Sequence, residues 1–167
     1  MNDLFLHIDS KSKVKPEDFH ADKSRLFAIP RIEVNWGAYS QIECTQNLLE
    51  AATSNDRYMY YHLVTGSSYP IKSQKEIQSL FAANRGSEMI ECEGDIYSER
   101  VKYYWAFTEM RRNRVIEFLQ KVIVFVRKML GVNRFRKYGM KCCKGYTYWH
   151  ITDELARYVL SKRDLIK

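Results

Sequence analysis

Between residues 4 and 92, short strand-forming runs alternate with stretches that read as capped helices, and no other feature narrows the fold as much. Leu4-Phe5-Leu6-His7-Ile8 is an apolar run closed by Asp9 and the polar, lysine-rich residues 10–15. It predicts a buried strand entering a loop. Pro16 can open a helical turn over residues 17–20. After Pro30, Ile32, Val34 and Trp36 alternate with polar residues, which predicts a second strand near a sheet edge. Ser40 and Glu43 have capping-box spacing ahead of Ile42, Thr45, Leu48, Leu49 and Ala52, which recur at helical spacing. Residues 58–64, Tyr-Met-Tyr-Tyr-His-Leu-Val, form the strongest strand signal and break at Gly66-Ser67-Ser68. Ser73 and Glu76 box a second helix bearing Ile77, Leu80 and Phe81, and residues 89–92 predict a fourth short strand.

This order predicts an α/β fold with a mostly parallel sheet and flanking helices. Such sheets bind ligands beyond the carboxyl ends of their strands, where Asp9, Trp36-Gly37, Gly66-Ser67-Ser68 and Glu91 lie. Residues 101–130 then read as one or two helices. Val115, Phe118, Leu119, Val122, Phe125, Val126 and Met129 make one stripe, and Gly131 is a C-terminal stop. Residues 134–144 read as a basic loop, and residues 152–160 as a last helix capped by Thr152 or Asp153. With 167 residues the chain is expected to form one domain.

Lys and Arg number 27 against 20 acids, a net charge of +7, and the excess is local. Residues 100–144 hold 13 of those basic residues against only Glu109 and Glu117, so this stretch is +11 and the remainder −4. A packed amphipathic helix with solvated charges is the plain reading; an anionic membrane surface or phosphates is the other. A nucleic-acid partner is disfavoured, because no aromatic-interleaved motif accompanies Arg111-Arg112-Asn113-Arg114.

Of the chemical candidates, Asp9 at a strand end can hold the hydroxyls of a ribose or a uracil; the competing reading is a loop aspartate capping Ser12. Gly66-Ser67-Ser68-Tyr69-Pro70 can let a ligand approach backbone, or can be an ordinary turn. It is not a P-loop. Glu91 and Arg100 flank a loop suited to acceptor recognition. His7, His20, His62 and His150 show no metal-ligand spacing, and Glu93-Gly94-Asp95 makes a poor D-x-D, so no metal is expected. Cys44, Cys92, Cys142 and Cys143 lack C-x-x-C spacing and read as reduced, intracellular thiols. Neither a signal peptide nor a membrane-spanning run is expected.

Four ordered segments resemble the core-2/I-branching enzyme family, which includes the peptide xylosyltransferases. Leu6-His7-Ile8-Asp9-Ser10-Lys11 is similar to its I-H-x-D-x-K strand end, and residues 34–40, Val-Asn-Trp-Gly-Ala-Tyr-Ser, to its V-x-W-G-G-x-S segment. Residues 63–72, Leu-Val-Thr-Gly-Ser-Ser-Tyr-Pro-Ile-Lys, resemble L-S-G-x-D-Y-P-I-K, with Ser68 in place of the family's aspartate. Residues 144–152 resemble K-G-S-x-W-W-x-L-T, with Tyr146 in place of its serine.

The resemblance implies a GT-A, Rossmann-like nucleotide-sugar fold and a metal-independent, inverting glycosyltransferase. It would move N-acetylglucosamine or xylose from a UDP-sugar to an acceptor hydroxyl, a hexosyl or pentosyl transfer with no cofactor. Asp9 would contact the uridine, Gly66, Ser67 and Ser68 would line the donor pocket, and Glu91 and Arg100 would meet a glycan or polysaccharide acceptor. The family's first strand has no counterpart before Met1, and its acidic general-base motif would fall beyond Lys167. The expectation is a single partial domain whose own activity is in doubt: residues 1–92 nucleotide-sugar part, 93–144 basic insertion, 145–167 final strand and helix. The alternative is a non-catalytic basic module binding anionic membrane or nucleic acid. The expected location is cytoplasmic, or peripheral at the cytoplasmic membrane face through residues 111–144.

Overall fold

The computed structural model describes residues 2–94, 102–103, 105–110, 113–133, 135, 139 and 143–166. It divides into two compact units, one of Met1–Val34, Ser40–Ile90 and Thr147–Lys167, the other of Asn35–Tyr39 and Glu91–Tyr146.

In the first unit, β1 (Asp3–Leu6) pairs in parallel with β2 (Arg25–Ala28), Asp3 opposite Arg25 and Leu6 opposite Ala28. Their connection is a loop with one 3-10 turn, Pro16–Asp18, where proline was expected to open a helical turn. Phe5 stacks on Phe27 at 5.0 Å, and the Asp3 carboxylate takes the Arg25 guanidinium and the Tyr58 hydroxyl. The second strand thus lies upstream of the expected residues 31–36. Pro30 offers no amide to a ladder, and the chain beyond it is held by other bonds. The Ile32 amide donates to His7 Nε2 at 3.1 Å, and the Ser10 amide to the Ile32 carbonyl at 3.0 Å.

Helix α1 (Tyr39–Asn55) begins one residue before Ser40, which is buried within its first turn instead of capping it. β3 (Tyr60–His62) is followed by α2 (Gln74–Ala83), whose capping box forms as expected: the Glu76 amide donates to Ser73 Oγ, and the Ser73 amide to Glu76 Oε2. β3 pairs antiparallel with β6 (His150–Thr152), Tyr60 opposite Thr152 and His62 opposite His150, so the mostly parallel sheet is not what these strands build. The expected fourth strand, residues 89–92, forms only at its two ends: Met89 makes a single bridge to His150, and Cys92 opens a two-residue strand of the second unit. Thr152 then caps α4 (Asp153–Ser161), accepting from the Leu155 amide, and α5 (Arg163–Ile166) follows.

The core of this unit is Leu49 and Ala52 of α1, Tyr61 of β3, Ile151 of β6 and Ala156 of α4, with Phe5, Tyr58, Trp149 and Leu155 packed around it. Alternation explains the set: Tyr61 and Ile151 are cross-strand partners on one pleat face, which the two helices cover. Polar clamps join the same elements. Tyr61 donates to Asp153 at 2.8 Å, Arg157 bonds Asp153 and the Thr53 carbonyl, and Arg163 reaches Glu50 and Asn47.

In the second unit β4 (Cys92–Glu93) pairs antiparallel with β5 (Lys144–Gly145). Cys92 and Cys143 form a disulfide across this ladder, Cα atoms 5.9 Å apart. That corrects the reading of these two cysteines as reduced thiols: sequence spacing could not show that the β4–β5 pairing brings together residues 51 apart. Helix α3 (Arg114–Met129) starts at Asn113, whose side chain accepts from the Val115 amide. It ends where Gly131 adopts φ +65°; the Gly131 and Val132 amides bond back to Lys128 and Arg127 in a Schellman motif. Most of the expected basic loop at 134–144 lies outside the described residues.

Candidate functional site

Asp9 follows β1 and the chain folds back at once. Its side chain accepts from the Lys11 amide at 2.9 Å, and its carbonyl accepts from the Ser12 amide at 2.9 Å. The capping reading of Asp9 is therefore realised as a turn around Lys11 and Ser12, and the carboxylate stays one-third exposed. Arg31 locks the turn from outside, donating to the Asp9 carbonyl at 2.7 Å and the Ser12 carbonyl at 2.6 Å. Lys11 Nζ lies 3.6 Å from Asp9 and donates to the Val34 carbonyl at 2.7 Å. Partial desolvation works to raise the Asp9 carboxyl, but the Lys11 amide and ammonium and the Val34 backbone outweigh it, leaving Asp9 an ionised acceptor.

Burial pushes the Cys44 thiol of α1 up to about 11, with Asp9 adding to the effect, so it is no nucleophile at neutral pH. His7 is pushed down by burial and spends Nε2 on the Ile32 amide, a supporting role.

The second group sits at the end of β3. The Ser68 amide closes a turn on the Thr65 carbonyl at 2.9 Å, placing Gly66 and Ser67 at its corners. Thr65 Oγ1 lies 3.2 Å from Ser67 Oγ, 3.0 Å from Ser68 Oγ and 3.3 Å from the Tyr148 hydroxyl. The β3–β6 register makes this cluster: with the Leu63 amide on the Trp149 carbonyl, Tyr148 falls beside the turn. Hydrogen bonds from Ser68 and Thr65 hold the Tyr148 phenol below its usual value. Thr65 and Tyr148 were not picked out from the sequence; the signal that could have found them is the pairing of residues 60–62 with 150–152. The cluster offers several adjustable donors and acceptors, a surface fitted to a polyhydroxylated ligand.

One residue inward, His62 Nδ1 lies 2.9 Å from His150 Nδ1 with Phe81 against both rings. Desolvation, with His150 beside it, pushes His62 down to about 4.

Glu91 belongs to the second unit and is exposed just before β4. Beside it, Glu93 accepts from Lys144 Nζ at 2.9 Å and from the Tyr146 hydroxyl at 2.8 Å, which hold its carboxyl low. Lys144 also lies over the Tyr146 ring at 4.7 Å. Tyr146, where the family pattern has serine, thus buttresses the Glu91 strand. Arg100 lies outside the described residues.

Two clefts of about 310 and 340 Å³ lie in the second unit, one lined by Trp105, Glu117, Gln120 and Lys121, the other chiefly by Lys102, Tyr103, Lys128 and Asn133. None of Asp9, Gly66, Ser67, Ser68 or Glu91 lines either. Among the described residues no three His, Cys, Asp or Glu side chains group as a metal site, and no helix is long and apolar enough to cross a membrane.

Neither the curated proteins nor the solved structures give a match to this chain. A family model does: Core-2/I-Branching enzyme, from residue 2 to residue 167. The chain belongs to the Core-2/I-branching enzyme family of glycosyltransferases.

Proposed function

We propose that this chain carries the donor-binding part of an inverting glycosyltransferase that takes N-acetylglucosamine or xylose from a UDP-sugar to an acceptor hydroxyl, without metal or cofactor. The whole chain is read as one GT-A domain with a basic insertion. The observation that carries the reading is the family match across the chain; the geometry at Asp9 and at residues 65–68 is compatible with it. Asp9 is ionised and partly exposed, so it suits the donor groups of a uracil or ribose. The hydroxyls of Ser67, Ser68, Thr65 and Tyr148 suit the sugar and its phosphates. Glu91 and Arg100 are assigned to the acceptor.

No carboxylate of α4 is assigned as general base. Asp153, the candidate with the best-formed surroundings, is held low by Arg157 and Tyr61 and serves the fold. For location, a peripheral position at a membrane face fits the charge distribution. The Cys92–Cys143 disulfide argues for an oxidising compartment over the cytoplasm.

Calorimetric titration of the purified chain with UDP, UDP-N-acetylglucosamine and UDP-xylose tests the proposal. Binding is expected for UDP and at least one UDP-sugar. Asp9→Ala should weaken it by about tenfold, the loss of one charge-assisted hydrogen bond at roughly 1.5 kcal/mol. Unchanged affinity in a folded Asp9→Ala variant would remove Asp9 from the donor site.

A further inference from the structure

Helix α3 has three faces, and the apolar one is exposed. Ile116, Gln120, Ile123, Val124 and Arg127 form the covered side, and Gln120 is 3 % exposed with its amide on the Ala106 carbonyl. Arg114, Glu117, Lys121 and Lys128 form the charged side. The third side is the stripe Val115, Phe118, Leu119, Val122, Phe125, Val126 and Met129, every member exposed, with Phe118 at 67 % and Phe125 at 64 %. This inverts the packed-helix expectation, in which the same stripe covers a sheet. Sixteen residues of helix make a ridge about 24 Å long, and an apolar ridge of that size facing water marks an interaction surface.

Its chemistry selects the occupant. Along one edge of the stripe run Arg114, Lys121 and Lys128, with Glu117 the only acid, paired to Lys121 at 2.9 Å. In sequence, the stretch 100–144 that contains the helix carries +11. A second copy docked helix to helix would set these cations against themselves. An anionic bilayer takes both features at once: phenylalanines and aliphatics enter the acyl boundary while the basic edge meets headgroups. Trp105, Phe107 and Met110, ahead of the helix in sequence, are exposed as well. We infer that α3 docks the protein on anionic lipid, lying in the plane of the membrane surface; this is independent of the donor-site reading.

The test is co-sedimentation of the full chain with vesicles of phosphatidylcholine, alone and mixed with phosphatidylglycerol. Three basic residues near the surface predict partition about a hundredfold stronger onto the anionic vesicles, weakening as salt rises. Phe118→Glu/Phe125→Glu replaces exposed side chains, so the fold persists, which circular dichroism checks; the variant should lose vesicle binding. Arg114→Ala/Lys128→Ala should lose most of the anionic preference. The inference is overturned if the chain binds neither vesicle, if the double glutamate variant binds as well as the parent, or if neutral and anionic vesicles bind equally. It is also overturned if sedimentation shows the stripe occupied by a second copy, with self-association abolished by the glutamates and no lipid binding.

Discussion

A Cβ added at Gly66 would meet nothing within 4 Å, and the residue's backbone is not left-handed. Gly66→Ala is therefore expected to change stability by no more than about half a kcal/mol, with little shift in melting temperature. If donor backbone contacts are made there, the same change weakens UDP-sugar binding severalfold. A variant that melts early would show the turn to be structural; one that binds unchanged would show that no ligand approaches this backbone. His62 makes a second residue-scale prediction. Its neighbours are Tyr60 on its own strand, Phe81 from α2 and His150 across the ladder, none of them a compensating acid. The ring is neutral in the folded chain down to about 4, whereas in the unfolded chain it protonates near 6.5. Its contribution to stability is thus complete above about 6.5 and is lost as pH falls towards 4. Allowing for solvent screening, on the order of 1–2 kcal/mol should disappear between about pH 7.5 and about pH 4.5. Thermal melts should show this fall, flattened in His62→Asn; identical slopes in parent and variant would contradict it.

Among the elements, what the sequence displayed locally was legible and what depended on distant pairing was not. The Ser73–Glu76 box and the Gly131 stop each lie within a few residues of their helix and were read correctly, and of the two caps offered for the last helix Thr152 is the one that forms. β2 was missed because Arg25-Leu26-Phe27-Ala28 is short and flanked by charge, and its strand character comes from lying against β1. The α3 stripe was legible as periodicity, yet its direction was not, because a period cannot say which face the rest of the fold covers. The disulfide was hidden for the same reason. It closes a span of 51 residues, so chain entropy predicts up to about 4 kcal/mol of stabilisation. Non-reducing peptide mapping should recover Cys92 joined to Cys143, and reductant should lower the melting temperature. Alkylatable Cys92 in the unreduced protein would contradict both.

At the scale of the molecule, the candidate site was visible as motif and only half visible as geometry. Asp9 and residues 66–68 could be named because strand ends collect ligand groups in α/β folds. Thr65, Tyr148, Arg31 and Lys11, which give those residues their shape and charge state, emerge only once register is known. The concentration of charge in residues 100–144 is a feature of one stretch of sequence, and the lipid docking inferred for the exposed face of α3 gives it a physical use. Family membership rests on the whole span, and the account's central claim is narrower: a uridine nucleotide sits against the turns that follow β1 and β3. Amide NMR titration with UDP addresses it most directly. Shifts should concentrate at Lys11 and Ser12 and at Gly66, Ser67 and Ser68, saturating together. A folded spectrum that UDP leaves unchanged, or perturbs only at residues remote from both turns, would contradict the claim.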